Sequence, residues 1–286
     1  MTTLTALPPL DTAPLFPALH AELMQLLRAL EPDDWQRPTV AGAWRVHDVA
    51  AHMLDGELRT LAAHRDGHQL PPDQPVRSYD DVVALIQRLN TEGVAVGRRL
   101  SPELLLALLG MSGQWMSRFV TELDPEAPAL YAVAWAGEEQ STNRFDTARE
   151  YTERWHHQMQ IRMAVGEVRG QTARLLAPRL FEPLLATSVH VLPHAYRACA
   201  AANGTSVVLH CVGDTQAEYS LVREAQRWVL YRGAHRNPTV QVTAPASQWW
   251  QLFFNALDGN AIRSAIAIEG DASLAEPLLR ARSVMV

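Results

Sequence analysis

Three pairs of possible metal ligands stand four residues apart in this sequence: Glu153/His157, His64/His68 and His190/His194. In an α-helix, residues i and i+4 lie on one face, so each pair can present two ligands to the same ion. Spacing alone does not separate the three pairs, because a chain of 286 residues with 11 histidines contains such pairs by chance. The surroundings of each pair decide which is the best candidate.

Two of the pairs have a simpler explanation. His64 and His68 lie where an apolar helical pattern passes into a proline-rich loop, and side chains that can be cationic are favourable near a helix C-terminus. His190 and His194 flank Pro193, which bends or interrupts a helix and disturbs the i, i+4 geometry. We interpret these four histidines as surface or packing residues.

Glu153 and His157 lie in the middle of a predicted helix, where an inward-facing carboxylate is costly unless a cation compensates its charge. His52, among apolar neighbours in another predicted helix, would add a third ligand. Two nitrogens and one carboxylate leave a coordination position open, which is typical of catalytic rather than structural zinc sites. Asp48, one turn before His52, is a candidate hydrogen-bond partner for that ligand.

Such a site needs facing helices, and the N-terminal half of the chain has the matching periodicity. Apolar residues recur at helical spacing in five segments, over residues 15–30, 44–66, 79–99, 101–124 and 143–165. Ser101 and Pro102 suit the N-cap and the first turn of the fourth segment, and Gly166 ends the fifth. We count four principal helices among these segments. Four helices joined by loops predict an antiparallel four-helix bundle for this half of the chain.

The pattern changes after Gly170. A further helix is predicted over 175–202, and alternating apolar residues then predict strands over 206–212, 217–223, 227–231 and 239–243. The strands predict an antiparallel meander, followed by helices over 247–257 and 273–282. The expected fold class is therefore α+β. We expect a helical bundle over residues 1–168 and a small C-terminal α/β domain with an antiparallel meander sheet over residues 169–286.

The composition limits the possible partners. The formal net charge of −6 provides no basic surface for a nucleic acid. Cys199 and Cys211 are too few for a disulfide framework, no signal peptide is evident, and charged residues interrupt every apolar run that could span a bilayer. We therefore expect a cytoplasmic protein that acts on small molecules, without nucleic-acid or membrane partners.

Two segments taken together resemble a known family. Trp44 precedes a D-x-x-x-H pattern that ends at His52, and an E-x-W-x-H pattern begins at Glu153 and ends at His157. This arrangement is similar to that of the mycothiol-dependent maleylpyruvate isomerase family, part of the wider group of DinB-like metal-binding bundles. The C-terminal half resembles the family's sterol-carrier-like domain. The resemblance implies a divalent metal, zinc first and nickel as the alternative, held by His52, Glu153 and His157.

The resemblance also implies a low-molecular-weight thiol, such as mycothiol or bacillithiol, as cosubstrate. The implied reaction is thiol transfer to a small electrophile, or cis-trans isomerisation in which reversible thiol addition turns a double bond into a rotatable single bond. Two other hypotheses stay open. One is a stress-related module that binds metal and a small apolar ligand without catalysis, and the other is a metal-assisted hydrolase with Glu57 or Asp55 as base. Trp155 and Trp135 either line the site or belong to the core.

The chain departs from the family pattern at two positions. Members usually carry Asp three residues after the last ligand histidine, where this chain has Gln160. Many also carry Gly-Arg ahead of the final strand, and the matching pair here is Gly259-Asn260. An arginine at that point suits an anionic substrate. Both departures concern the reaction rather than metal binding, so the substrate stays open.

Overall fold

The computed structural model describes residues 4–256 and 259–285. Backbone contacts divide the chain into two compact units, of which the helical unit comprises Thr12–Tyr131 and Thr142–Leu175. The sheet unit comprises the rest of the described chain. A helical region followed by a largely antiparallel sheet confirms the predicted α+β class. The predicted domain boundary at residues 168 and 169 stays a prediction, since compactness does not show which parts fold alone.

Five long helices build the helical unit, and all five lie where the apolar periodicity predicts them. They are α1 Phe16–Arg28, α2 Val46–Thr60, α3 Tyr79–Gly97, α4 Pro102–Glu122 and α5 Asn143–Val165. Two single-turn helices follow, α6 Glu167–Gly170 and α7 Ala173–Leu176. The side chains of Ser78, Ser101 and Thr142 accept hydrogen bonds from backbone N–H groups in the first turns of α3, α4 and α5. These N-caps satisfy donors that would otherwise be unpaired.

One apolar core holds four of these helices together. Its buried residues come from α1, α2, α4 and α5 and include Leu23, Leu27, Val49, Leu54, Leu105, Leu109 and Ile161. Burying each such side chain contributes roughly 1.5–3 kcal/mol. In the described part of the chain, α3 adds no residue to this core and packs on α2 instead. The structure is therefore the predicted four-helix bundle, with α3 as an additional helix.

The sheet unit contains five strands in the order β3-β2-β1-β4-β5. They are β1 Ser206–Val212, β2 Ala217–Glu224, β3 Arg227–Arg232, β4 Val240–Pro245 and β5 Ala267–Gly270. The first three form an antiparallel meander, but β4 crosses to the free edge of β1 and pairs with it in parallel. The meander prediction therefore holds for three strands and is wrong for the fourth. Alternating apolar residues indicate a strand, but they do not indicate which edge it joins.

The helices of the sheet unit differ from the predicted ones in their bounds, and the helix at residues 259–265 is not predicted. They are α8 Pro178–Ser188, α9 Val191–Ala195, α10 Ala246–Phe253, α11 Gly259–Ala265 and α12 Glu276–Arg280. The single helix predicted over 175–202 is wrong, because the chain leaves the helical conformation at Ala177, immediately before Pro178. Proline disfavours the helical conformation of the residue before it. Over the described residues, no helix has both the length and the apolar character needed to cross a bilayer.

Gly97 sets the distance between α2 and α3. A Cβ atom added at Gly97 would overlap the Cβ of Ala51 on α2. Two small residues thus allow the two backbones to approach closely at this crossing, and any side chain at position 97 would push the helices apart.

We expect Gly97→Ala to lower the free energy of unfolding by about 1–3 kcal/mol, because an extra methyl in a closely packed contact forces the backbone to shift. The control is Gly110→Ala on α4, where the added Cβ would meet only Met24 Cε at an ordinary 3.4 Å. That variant should be as stable as the parent or up to about 1 kcal/mol more stable, as helix propensity dictates. Urea unfolding measures both, and equal stability of the two variants would contradict the close crossing.

Candidate functional site

Helix α5 carries the predicted ligand pair on the one face that the bundle leaves half-exposed. Glu153 and His157 are half-exposed, whereas the residues between them are buried. His52 is half-exposed on α2, one of the helices that pack against α5. The bundle thus turns the three predicted ligands toward the same side.

The two histidines are in direct contact. Nε2 of His52 lies 3.0 Å from Nε2 of His157. The two rings meet edge to face, with centroids 4.5 Å apart and an interplanar angle of 81°. Trp44 covers another side of His52, with a centroid distance of 4.9 Å. The tertiary structure therefore joins two residues that are 105 positions apart in sequence.

Glu153 completes the group from one turn before His157. Its Oε2 lies 3.4 Å from Nε2 of His157, and its side chain is 25% exposed. Its mid-helix position predicts that this carboxylate points inward at a high desolvation cost. That prediction is too strong, because a group exposed to this degree keeps part of its hydration. The case for Glu153 rests on its contact with His157 rather than on burial.

Gln160 positions His157 from the other side of the ring. Its Oε1 lies 3.0 Å from Nδ1 of His157, and its Nε2 lies 2.9 Å from Nε2 of His156. With the amide in this orientation, Oε1 accepts the Nδ1 proton of His157, and the amide N–H donates to His156. The lone pair on Nε2 of His157 then points toward His52. This role of Gln160 is not predicted from the sequence, although positions 156 and 160 have the i, i+4 spacing that predicts a shared face.

Desolvation keeps His52 and His156 neutral. Desolvation, followed by the proximity of His157 and Arg59, lowers the pKa of His52 to about 2. Desolvation also lowers the pKa of His156 well below its ordinary value, and His157 and His52 add to that effect. Among the described residues, Nδ1 of His52 is buried without a hydrogen-bond partner. Neutral imidazole is the form of histidine that binds metal, so the protonation state suits ligation.

The donor set fits a divalent metal in type, and the spacings from His157 to His52 and from His157 to Glu153 suit shared ligation. Ligand atoms about 2.0–2.1 Å from a tetrahedral zinc lie about 3.3 Å from one another. The observed spacings of 3.0 Å between the histidine nitrogens and 3.4 Å to the carboxylate are close to this value. Within the described ranges, however, no three such side chains already surround one point as a finished metal site does. The assignment of His52, Glu153 and His157 as ligands therefore stays a prediction.

Three other candidates have structural roles. The prediction that Asp48 supports His52 is wrong, because its carboxylate accepts from the backbone N–H of Arg45 at 3.1 Å and pairs with Arg98 at 2.8 Å. Asp48 thus caps the start of α2. Glu57 is buried, with its oxygens bound to Arg154 and Ser112.

The other proposed base, Asp55, pairs with Arg59 at 2.8 Å. Neither Glu57 nor Asp55 is a free base, so the hydrolase hypothesis loses support. Trp155 is fully buried in the helical unit and donates its indole N–H to the carbonyl of Leu175. Trp135 is buried in the sheet unit. Both are core aromatics rather than lining residues.

The remaining histidine pairs stay apart from this group. The ring of His64 faces Phe119 and Tyr131 at centroid distances of 6.4 and 5.3 Å, and His68 is exposed. His190 and His194 belong to the sheet unit, where Pro193 lies inside the short helix α9.

Residues 16–162 match a family described as the mycothiol maleylpyruvate isomerase N-terminal domain. The chain belongs to this family. Among solved structures, the crystal structure of the mycothiol-dependent maleylpyruvate isomerase is similar, with a TM-score of 0.54 and 14% identity, covering 93% of this chain and 95% of the other. A histidine-to-alanine mutant of that enzyme gives a TM-score of 0.50 at the same identity and coverage. No protein of curated function matches the chain.

Membership of the mycothiol maleylpyruvate isomerase family confirms the resemblance seen in the sequence, and the structural likeness shows a shared fold. Of the two departures from the family pattern, Gln160 has a defined place beside His157. The side chain of Asn260 lies outside the described residues. Arg263, three residues after Asn260, pairs with Glu276 at 2.6 Å.

The Gln160 bridge predicts the tautomers of the histidines in metal-free protein. We expect His156 and His157 to carry the proton on Nδ1, and His52 to carry it on Nε2, where it can donate to His157. Nitrogen-15 NMR of the imidazole rings measures this directly. In Gln160→Leu, which removes the acceptor, the preference of His157 for the Nδ1–H form should weaken. A proton found on Nε2 of His157 in the parent protein would contradict the described orientation of the amide.

Proposed function

We propose that this chain is an enzyme that uses a low-molecular-weight thiol, mycothiol or a similar compound, to isomerise a small electrophilic alkene or to transfer the thiol to it. The observation that carries the proposal is the contact of His52, His157 and Glu153 on the exposed side of the bundle. Membership of the mycothiol maleylpyruvate isomerase family supports the reaction class.

In the proposed site, His52, Glu153 and His157 hold one divalent metal, most favourably zinc. A zinc ion with an open position would lower the pKa of a thiol there, so that the thiol is nucleophilic at neutral pH. Gln160 keeps Nε2 of His157 available by accepting the proton of Nδ1. Burial keeps His52 neutral, so that its ring offers a lone pair. Trp44 packs on His52 and limits its rotation.

The isomerisation itself balances without an external oxidant or reductant. The thiolate sulfur adds to one carbon of a double bond conjugated to a carbonyl, and the electron pair of the double bond moves to the carbonyl oxygen. The former double bond is now a single bond and rotates. The electron pair then returns, the carbon–sulfur bond breaks, and the thiolate is released unchanged. The protein contributes by orienting the reactants.

Composition and cysteine chemistry support a cytoplasmic setting as part of this proposal. Cys199 and Cys211 are both free thiols, which is typical of a reducing compartment. The net charge of −6 provides no basic surface to which a polyanion such as a nucleic acid could bind.

The metal assignment predicts which substitutions remove the ion. Protein purified without chelator should contain about one zinc or nickel per chain by elemental analysis. His52→Ala, His157→Ala and Glu153→Ala should each lose it, because two remaining ligands hold a divalent ion poorly. His64→Ala and His68→Ala are the matched controls and should keep it. Loss of metal in the controls, with retention in the first three variants, would assign the site to the other pair.

The reaction class predicts an activity that depends on thiol. We expect mycothiol, bacillithiol or N-acetylcysteine to accelerate the isomerisation of maleylpyruvate, or the conversion of a chlorodinitrobenzene-type electrophile. The thiol-dependent rate of the His52→Ala variant should be lower by at least about 100-fold, which corresponds to an activation free energy higher by roughly 3 kcal/mol. Steady-state kinetics by absorbance measures both. If no thiol accelerates either reaction, the chain is a binding module rather than this enzyme.

A further inference from the structure

The side-chain amide of Gln160 bridges two imidazole rings. One of its polar atoms lies 3.0 Å from Nδ1 of His157, and the other lies 2.9 Å from Nε2 of His156. Gln160 is only 6% exposed and His156 only 3% exposed. Water has little access to these atoms, so each of the two contacts has to pair a donor with an acceptor.

Two proton arrangements satisfy both contacts while the rings are neutral. An amide offers an acceptor at one atom and a donor at the other, and a neutral imidazole has one N–H and one lone pair. In the first arrangement, Nδ1 of His157 donates to the amide oxygen, and the amide N–H donates to Nε2 of His156. In the second, the amide is turned round, so that Nε2 of His156 donates to its oxygen and its N–H donates to Nδ1 of His157. Any mixture sets a donor against a donor or an acceptor against an acceptor.

The two arrangements differ in whether His157 can bind a metal. In the first, Nε2 of His157 has a lone pair, and this is the atom that lies 3.0 Å from Nε2 of His52. In the second, Nε2 of His157 carries the proton. An imidazole binds a metal through an unprotonated nitrogen, and the hydrogen bond of its other nitrogen determines which one that is. Ligation by His157 therefore requires that His156 presents a lone pair to the amide.

An amide needs this second partner, whereas a carboxylate does not. The aspartate that family members usually carry at position 160 accepts hydrogen bonds through both oxygens, so it takes the Nδ1 proton of His157 in either orientation. Gln160 becomes a donor toward His157 when it turns round. Because His156 lies one turn before Gln160 on the same face of α5, it is the residue that can select the orientation of the amide.

We propose that His156 is a positioning residue of the site. By accepting a hydrogen bond from the amide of Gln160, it holds His157 in the tautomer that can bind a metal. The inference rests on the proposed function, since it takes His157 to be a ligand. Residues 156 and 160 form a functional pair, in which a neutral amide at position 160 supports the ligand only together with an acceptor at position 156.

Nitrogen-15 NMR of the imidazole rings tests this role in the unaltered sequence. His156 is not a proposed ligand, so zinc does not act on its protons directly. In the zinc-loaded protein we expect His156 to carry its proton on Nδ1 and to leave Nε2 unprotonated, because only this tautomer accepts from the amide. A zinc-loaded protein in which Nε2 of His156 carries a proton would overturn the proposal.

Removing the acceptor should weaken metal binding. In His156→Leu, the dissociation constant of zinc, measured by competition with a chelator, should rise about 5-fold to 100-fold. In the metal-free variant, the share of His157 that carries its proton on Nε2 should increase. Met159→Ala is the matched control, since Met159 is a buried residue of the same helix outside the bridge. It should lower the melting temperature and leave the zinc dissociation constant within about twofold of the parent value.

Gln160→Glu distinguishes the role of His156 from packing. A carboxylate accepts in both orientations, so in this background His156→Leu should change the zinc dissociation constant by less than about twofold. Parent-like zinc binding in the single variant His156→Leu, or an equal rise in both backgrounds, would refute the role of His156. A parent protein that binds no zinc would contradict the proposed function instead. The role of His156 is then decided in metal-free protein, where an unchanged tautomer of His157 in His156→Leu would exclude it.

Discussion

The buried ion pair between Glu57 and Arg154 is the interaction on which the site depends. It joins α2 to α5 inside the bundle, with the two side chains only 2% and 8% exposed, and Ser112 of α4 binds the same carboxylate. Sliding either helix by one turn would strand a charge in the interior, which costs about 3–5 kcal/mol. The pair therefore holds the register that brings His52 to His157.

Helices α2 and α5 place an ion pair in the interior of the bundle and neutral imidazole and amide groups around the histidine contact. In the interior, Glu57 and Arg154 neutralise each other, so the bundle carries its charges as pairs. At the histidine contact, desolvation keeps His52 and the buried His156 neutral, and the neutral amide of Gln160 connects His156 to His157. A carboxylate at position 160 would bind the Nδ1 proton of His157 more strongly than an amide does. This chain thus holds His157 with a neutral hydrogen-bond partner.

Several features of the site follow from local sequence rules. The i, i+4 spacing of Glu153 and His157 survives folding because both lie inside one uninterrupted helix, and the capping residues Ser101 and Thr142 act only within their own helix ends. Asp48 shows the limit of such rules. One turn before His52 it has the spacing of a supporting residue, yet the start of α2 and Arg98 of α3 engage its carboxylate.

The sequence by itself determined the five long helices, the N-cap at Ser101, the α+β class and the candidate ligands, because each depends on periodicity or on residues a few positions apart. Only the tertiary structure decided what crosses between elements. The contact of His52 with His157 and the parallel pairing of β4 with β1 both join distant parts of the chain. These contacts are decided by packing, because the whole core and the ion pair inside it determine which faces meet and in which register.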